Sequence, residues 1–252
     1  MNFTIDKAEF VENFENACKL YDQFGVLKVL NYFEPAQIDN VRNELSAVFS
    51  KIPDFTNVEF GFAGIRKHNV HETGKSLRII NPKYYKTFYH MISLIADDAH
   101  LDGFLNHFYK PPNRKLMQVF TTHEYKLTDG EEIPRNSWLH FDPYPALKYA
   151  VMLQETNEEN GALFVIPGSH DEGKHIRENM LEHKASFKKG FSHRFIDYKE
   201  TFQSRYTEDD RVYIDANPGD LLILNTDVWH GGGVLKSEER DRMAIYYHNR
   251  QQ

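Results

Sequence analysis

Cysteine is almost absent: Cys18 is the one thiol in 252 residues. No intramolecular disulfide can form and no cysteine-based zinc site can be built, which fits a reducing, cytoplasmic setting. Long hydrophobic runs are missing too. No stretch approaches the roughly 18 apolar residues of a spanning helix, and mean hydropathy is −0.62, so no membrane partner is expected. Positive charge is in deficit, with 30 basic against 37 acidic residues and a net charge of −7. That balance speaks against nucleic acid as the main partner. The N-terminus carries acids where a signal peptide has basic and apolar residues, so secretion is not expected. Repeats, low-complexity tracts and Pro/Ser-rich linkers are lacking as well, and the chain reads as a single domain over 1–252. A chain of this length buries roughly three quarters of its unfolded surface, so its core needs no metal in order to fold.

Histidine and aromatic side chains are plentiful, at 13 residues and 14% respectively. In an acidic, cysteine-poor chain this directs attention to a histidine-ligated metal.

Residues 1–110 read as a mostly helical cover. Phe10, Phe14, Ala17, Leu20 and Tyr21 recur at helical spacing, and Val26–Leu30 is a short β-type run. Pro35 opens a second helix with an apolar stripe through Ile38, Val41, Leu45 and Val48. A third helical pattern covers about Tyr84–Ala96. From residue 111 to 252 the pattern changes to short runs rich in β-branched and aromatic residues, such as Leu116–Tyr125, Tyr149–Glu155, Leu163–Ile166, Leu221–Leu224 and Arg242–Tyr247. Gly, Pro, Asn and Asp turn signals separate them. Two sheets sharing an apolar inner face, a jelly roll, would use such a pattern. The charged stretch Asp171–Arg211 reads as helical or irregular. The fold class expected is mainly β with flanking helices.

The chemically informative segment is Trp138-Leu139-His140-Phe141-Asp142. On a strand, side chains two apart share a face, so His140 and Asp142 can converge while Phe141 turns away. An imidazole and a carboxylate placed so are two of the three groups in the facial triad of non-haem Fe(II). A lone His-x-Asp is also what a polar strand end looks like. Further on, Asn217-Pro218-Gly219-Asp220 reads as a turn into a buried strand, followed by His230 and the glycines Gly231–Gly233. A histidine there, beside a run of small residues, can approach a metal and leave room for small ligands, or serve as an ordinary turn residue. On the strand beginning at Arg242, residues Arg242, Ala244 and Tyr246 share one face. An arginine turned inward needs an anion, and its planar fork suits a carboxylate.

Taken together, His140-Phe141-Asp142, Glu159-Asn160-Gly161-Ala162-Leu163, Pro167-Gly168-Ser169-His170, Pro218-Gly219-Asp220, His230-Gly231 and a downstream arginine resemble the phytanoyl-CoA dioxygenase-like family. The elements occur in the family's order, strongly over Leu116–His248 and loosely over Tyr21–Phe49. The resemblance implies a double-stranded β-helix and an Fe(II)- and 2-oxoglutarate-dependent dioxygenase that uses O2. It also implies that His140, Asp142 and His230 bind iron and that a later arginine holds the far carboxylate of 2-oxoglutarate. The family's usual position for this arginine falls on Asp241 here. A one-residue insertion in the turn restores the register, and strand alternation then selects Arg242 over Arg240.

The same resemblance makes Gln118 and Thr122, on one face of the strand before the His-x-Asp segment, candidate polar contacts to the cosubstrate. Related halogenases replace the triad carboxylate with Gly or Ala, so Asp142 implies hydroxylation, or another oxidation such as desaturation or ring formation. The expected partner is a small-molecule substrate. Asn160-Gly161 reads as a turn, Ser169 as a turn or cap residue, and His170 as structural. Arg66–His71 and the loop Thr128–Ser137 read as a substrate mouth or as solvated loops. Two other readings are a catalytically silent jelly-roll binding protein, and a zinc- or manganese-dependent hydrolase or isomerase on a cupin-like barrel.

Overall fold

A computed structural model of the chain describes residues 2–50, 67–71, 74–79, 89–96, 98–109, 114–124, 137–142, 145–182, 205–236 and 242–251. In chain order the elements are β1 (Thr4–Asp6), α1 (Lys7–Glu12), α2 (Phe14–Phe24), β2 (Val26–Leu30), α3 (Pro35–Phe49), β3 (Lys67–His71) and β4 (Gly74–Ile79). There follow α4 (Tyr89–Ala96), α5 (Ala99–Phe108), β5 (Arg114–Glu124), β6 (Leu147–Met152), β7 (Leu163–Val165) and α6 (His170–Glu182). The chain continues through β8 (Val212–Tyr213), β9 (Leu221–Asn225), β10 (His230–Gly232) and β11 (Arg242–Gln251).

The strands form an eight-stranded sheet in the order β1-β2-β9-β6-β11-β5-β4-β3 and a three-stranded sheet in the order β10-β7-β8. Pairing is antiparallel except between β1 and β2. Alternation along the central strands sorts their side chains onto two faces. Leu27, Val29, Leu147, Tyr149, Val151, Leu221, Ile223, Ile245 and Tyr247 join Phe10, Tyr21, Ile38, Val41, Leu45, Met91 and Phe104 of the helices in one core cluster. The opposite face, with Val26, Ala150, Met152, Leu222, Leu224 and Ala244, packs on Leu163, Val165, Ile214 and Ala216. Every residue of β6 is therefore buried, as a strand covered on both faces must be. Each large apolar side chain so enclosed contributes about 1.5–3 kcal/mol. Two facing sheets with helices on the outer face of the larger one give the mainly β, jelly-roll architecture that the sequence predicts.

Polar groups fasten the helical layer. Gly25 ends α2 in the left-handed conformation (φ 67°), its N–H donating to Tyr21 O. The Glu44 carboxylate on α3 accepts from the backbone N–H of His90 at 3.2 Å and Met91 at 2.9 Å, so it caps the first turn of α4. Asp220 explains the Pro218-Gly219-Asp220 element. Its carboxylate accepts from Asn31 N and Asn217 N, both at 2.9 Å, and pairs with Lys28 at 3.3 Å.

Several details differ from the expectations. Among the described residues of the first 110, four short strands, β1–β4, interrupt the helices, where the sequence pattern marks only Val26–Leu30. Two of these, Lys-His-Asn-Val-His in β3 and Gly-Lys-Ser-Leu-Arg-Ile in β4, are mostly polar and so carry little alternation to read; β3 is the edge of the sheet, with β4 between it and β5. Lys67–His71, read above as part of a mouth or loop, is the edge strand β3. The third helical pattern corresponds to α4, described over Tyr89–Ala96; residues 84–88 lie outside the described residues, as do Arg66, 128–136 and 183–204. No helix among the described residues is long and apolar enough to cross a membrane.

Candidate metal centre

Two short segments build the centre, and each is anchored by its apolar neighbours. Leu139 and Phe141 enter a buried cluster with Phe164, Ile166, Ile176 and Trp229, and Phe141 meets Trp229 edge-on with ring centroids 4.8 Å apart. The alternate residues, His140, Asp142 and His230, are thereby turned the other way. Backbone bonds lock the two segments together: His140 N to His230 O at 2.9 Å, His230 N to His140 O at 2.6 Å, and Asp142 N to Thr226 O at 2.9 Å. The His-x-Asp segment was expected as a strand; here it makes one isolated bridge, His140 to His230.

Both imidazoles are held in the same way. His140 Nδ1 lies 2.6 Å from Trp138 O, and His230 Nδ1 lies 2.7 Å from Val228 O. A carbonyl only accepts, so each Nδ1 carries the proton and each Nε2 presents its lone pair. Each Nε2 is 3.9 Å from Asp142 Oδ1. One ligand atom from each of the three residues lies within 4.8 Å of the others. Burial is the main cause of a lowered pKa at His140, with Asp142 opposing it. Burial also pushes His230 well below its ordinary value, helped by the charge of Lys148. Neutral imidazoles aimed at a carboxylate are a donor set for a divalent metal.

Lys148 was not singled out by the sequence reasoning. Its Nζ sits 3.2 Å from Asp142 Oδ2 and 3.3 Å from His230 Nε2. The signal was present in the sequence: Leu-Lys-Tyr-Ala-Val-Met is an otherwise apolar and aromatic run, and a cation within a doubly covered strand needs a partner.

A second ring of contacts fixes the His230 segment. Ser169 Oγ donates to Ile166 O at 2.7 Å and accepts from Trp229 N at 2.9 Å; the presumed turn residue thus ties β7 to the segment before His230. Thr226 Oγ1 accepts from Ala146 N at 2.7 Å, linking the same turn to the start of β6. From α6, Arg177 donates to both oxygens of Asp227, at 2.8 and 3.0 Å, and both side chains are buried. Gly173 lets α6 approach this turn, since a Cβ there would lie 1.9 Å from Asp227 O. Gly231 works similarly: a Cβ would meet Phe164 at 2.4 Å and Trp138 O at 2.8 Å. The glycine run was expected to leave room for ligands; at Gly231 that room is filled by Phe164 and the Trp138 carbonyl. His170 is the first residue of α6 and stands outside the metal-capable trio.

Of the expected cosubstrate residues, Arg242 opens β11, where its backbone pairs with Glu124 of β5. Thr122 pairs with Ala244, and Gln118 with His248, so positions 118, 122 and 242 have the parity of Ala244 on adjacent strands. The side chains of all three lie outside the described residues.

Over residues 21–244 the sequence matches the family model described as phytanoyl-CoA dioxygenase (PhyH). The chain belongs to the phytanoyl-CoA dioxygenase family. No curated protein matches it. Solved structures share its fold. One is the non-heme alpha ketoglutarate dependent epimerase SnoN from nogalamycin biosynthesis, at 15% identity and a TM-score of 0.63, covering 96% of this chain and 84% of that one. The carbocyclase SnoK from the same biosynthesis aligns with a TM-score of 0.63 at 14% identity, covering 93% and 83%. HygX from Streptomyces hygroscopicus, with nickel and 2-oxoglutarate bound, aligns at 17% identity with a TM-score of 0.57, covering 93% and 85%. This phytanoyl-CoA dioxygenase family member therefore carries its His-Asp-His trio on a jelly roll shared with 2-oxoglutarate-dependent enzymes.

Proposed function

We propose that this chain is a non-haem Fe(II)- and 2-oxoglutarate-dependent dioxygenase that hydroxylates an unactivated C–H bond of a small metabolite, releasing succinate and CO2. The observation that carries the reading is the convergence of His140 Nε2, Asp142 and His230 Nε2, with both Nδ1 atoms already committed to backbone carbonyls. Two neutral imidazoles and one carboxylate suit Fe(II) and leave positions on the metal for other ligands. When bound, iron with 2-oxoglutarate and O2 supplies the oxidising power.

What the protein contributes is placement. The Trp138 and Val228 carbonyls orient the imidazoles and raise their basicity. Burial keeps both histidines neutral, so no proton has to leave before a metal arrives. Arg242 is assigned to the far carboxylate of 2-oxoglutarate, with Gln118 and Thr122 as further polar contacts from the adjoining strand. Proteins sharing this fold are described as an epimerase and a carbocyclase; Asp142 is compatible with those outcomes as well, and it is the family's dioxygenase description that favours hydroxylation. The substrate is a small molecule; a structure of SnoN, which shares the fold, is in complex with nogalamycin RO.

The test is succinate release. Protein loaded anaerobically with Fe(II) and then given 2-oxoglutarate and O2 is expected to form succinate, with none formed when iron or 2-oxoglutarate is left out. A silent binding protein would take up metal and release no succinate, and a hydrolase would work with zinc or manganese in the absence of 2-oxoglutarate. Either outcome would overturn the proposal.

Within the site, Arg242→Ala is expected to raise the 2-oxoglutarate requirement strongly, because losing one partner of a desolvated charge pair costs about 2–5 kcal/mol. Arg240→Ala should change it little. The apparent 2-oxoglutarate affinities of the two variants decide the matter, and the reverse order would move the role to Arg240.

A further inference from the structure

We propose that Lys148 makes the metal centre selective for anionic ligands, by pairing its ammonium with a carboxylate bound on the open side of the metal. The inference rests on the oxygenase reading only in taking a divalent metal to occupy His140, Asp142 and His230.

Among the described residues Lys148 has two acceptors. Asp142 divides its carboxylate: Oδ1 faces both imidazoles at 3.9 Å, while Oδ2 holds Lys148 Nζ at 3.2 Å. The second acceptor, His230 Nε2, lies 3.3 Å from Nζ. Because His230 Nδ1 donates to Val228 O, Nε2 has a single lone pair to offer. That lone pair can accept from the ammonium or bind a metal, but cannot do both.

Metal binding therefore leaves Lys148 with Asp142 Oδ2 and takes away His230. A buried ammonium that loses an acceptor beside a divalent cation is costly. Its position in the strand prevents an easy escape, since Lys148 pairs with Leu224 on β9 and His248 on β11 in the middle of the large sheet, and the residue is 8% exposed. The remedy is an acceptor arriving with the ligands of the metal. A carboxylate oxygen provides one and also balances the charge, whereas a neutral nitrogen ligand provides neither. Lys148 would thus hold the carboxylate nearest the metal, a task distinct from the far carboxylate assigned to Arg242.

Oxalate separates these roles, because it is a metal-binding dianion without a far carboxylate, and imidazole serves as the neutral comparison. Ni(II)-loaded wild type and Lys148→Met are titrated calorimetrically with each. The expected result is a loss of oxalate affinity of about thirtyfold or more in Lys148→Met, from the cost of breaking a desolvated charge pair. Imidazole affinity should stay within about threefold, and Ni(II) should bind as tightly or more tightly, since its competitor for His230 is gone. Should Lys148→Met fail to fold, Lys148→Gln is read by the same criteria. Unchanged oxalate affinity overturns the proposal. So does parallel loss of oxalate and imidazole, or loss of Ni(II) itself, which would show that Lys148 only holds Asp142 in place. The underlying reading fails separately: wild type that binds Ni(II) and oxalate, with the expected response to Lys148→Met, but no 2-oxoglutarate would overturn the oxygenase and leave this inference standing.

Discussion

His230→Ala is expected to lower the affinity for a divalent metal by more than about 100-fold while the protein remains folded. Partners that merely orient a ligand are worth about 10–100-fold, and His230 supplies one of three donors outright. The fold should survive because the two core clusters are built from apolar side chains of the sheets and helices and include none of the three donors. A cost of about 0.5–3 kcal/mol is expected for truncating this buried side chain. The substitution should also release Lys148 from one of its two contacts, so part of the measured destabilisation belongs to the lysine. Titration with Co(II), alongside a thermal melt, reads both quantities. His140→Ala should behave alike toward metal. Unchanged Co(II) affinity in either variant would show that the trio is not the metal site.

The centre was legible because its chemistry is concentrated in short, ordered motifs. His140 and Asp142 sit two apart, and Phe141 between them is a large apolar residue that has to turn inward; that contrast alone predicts their common side. The buried strands were legible where both faces are apolar, as in Leu221–Asn225, and the Pro35 helix where its stripe is clean. What the sequence hid is long-range. Lys148 gains its meaning only when β6 is laid beside the His230 segment, 82 positions away. The edge strand β3 and its neighbour β4 hid because their hydrogen bonds, rather than an apolar pattern, make them strands. The His170 helix was only half legible, within a charged stretch that reads as helical or irregular. It is mostly polar, and its inward face rests on Ile176, on a glycine that fits under Asp227, and on an arginine whose partner lies 50 positions away.

That arginine leads to the second large effect. Arg177→Ala is expected to destabilise the protein by about 3–5 kcal/mol, because it strands the Asp227 carboxylate in a site that excludes water. Arg177 and Asp227 side chains are 8% and 6% exposed, respectively, and the two bonds between them are the bidentate kind that fixes geometry as well as energy. For a chain of this size the loss should lower the melting temperature by roughly 6–20 °C. Arg177→Met combined with Asp227→Leu should recover a good part of it, since removing both partners leaves no unpaired charge. The metal centre should feel the single substitution as well. Asp227 stands in the turn whose next residue, Val228, offers the carbonyl that orients His230, and α6 reaches that turn through Arg177 and Gly173. Loosening the turn frees the imidazole to rotate, so Co(II) affinity should fall by about 10–100-fold, the range for an orienting partner. A melt within about 2 °C of wild type would mean that Arg177 and Asp227 do not hold this corner. A large melting change with unaltered Co(II) affinity would mean that His230 is oriented without help from α6.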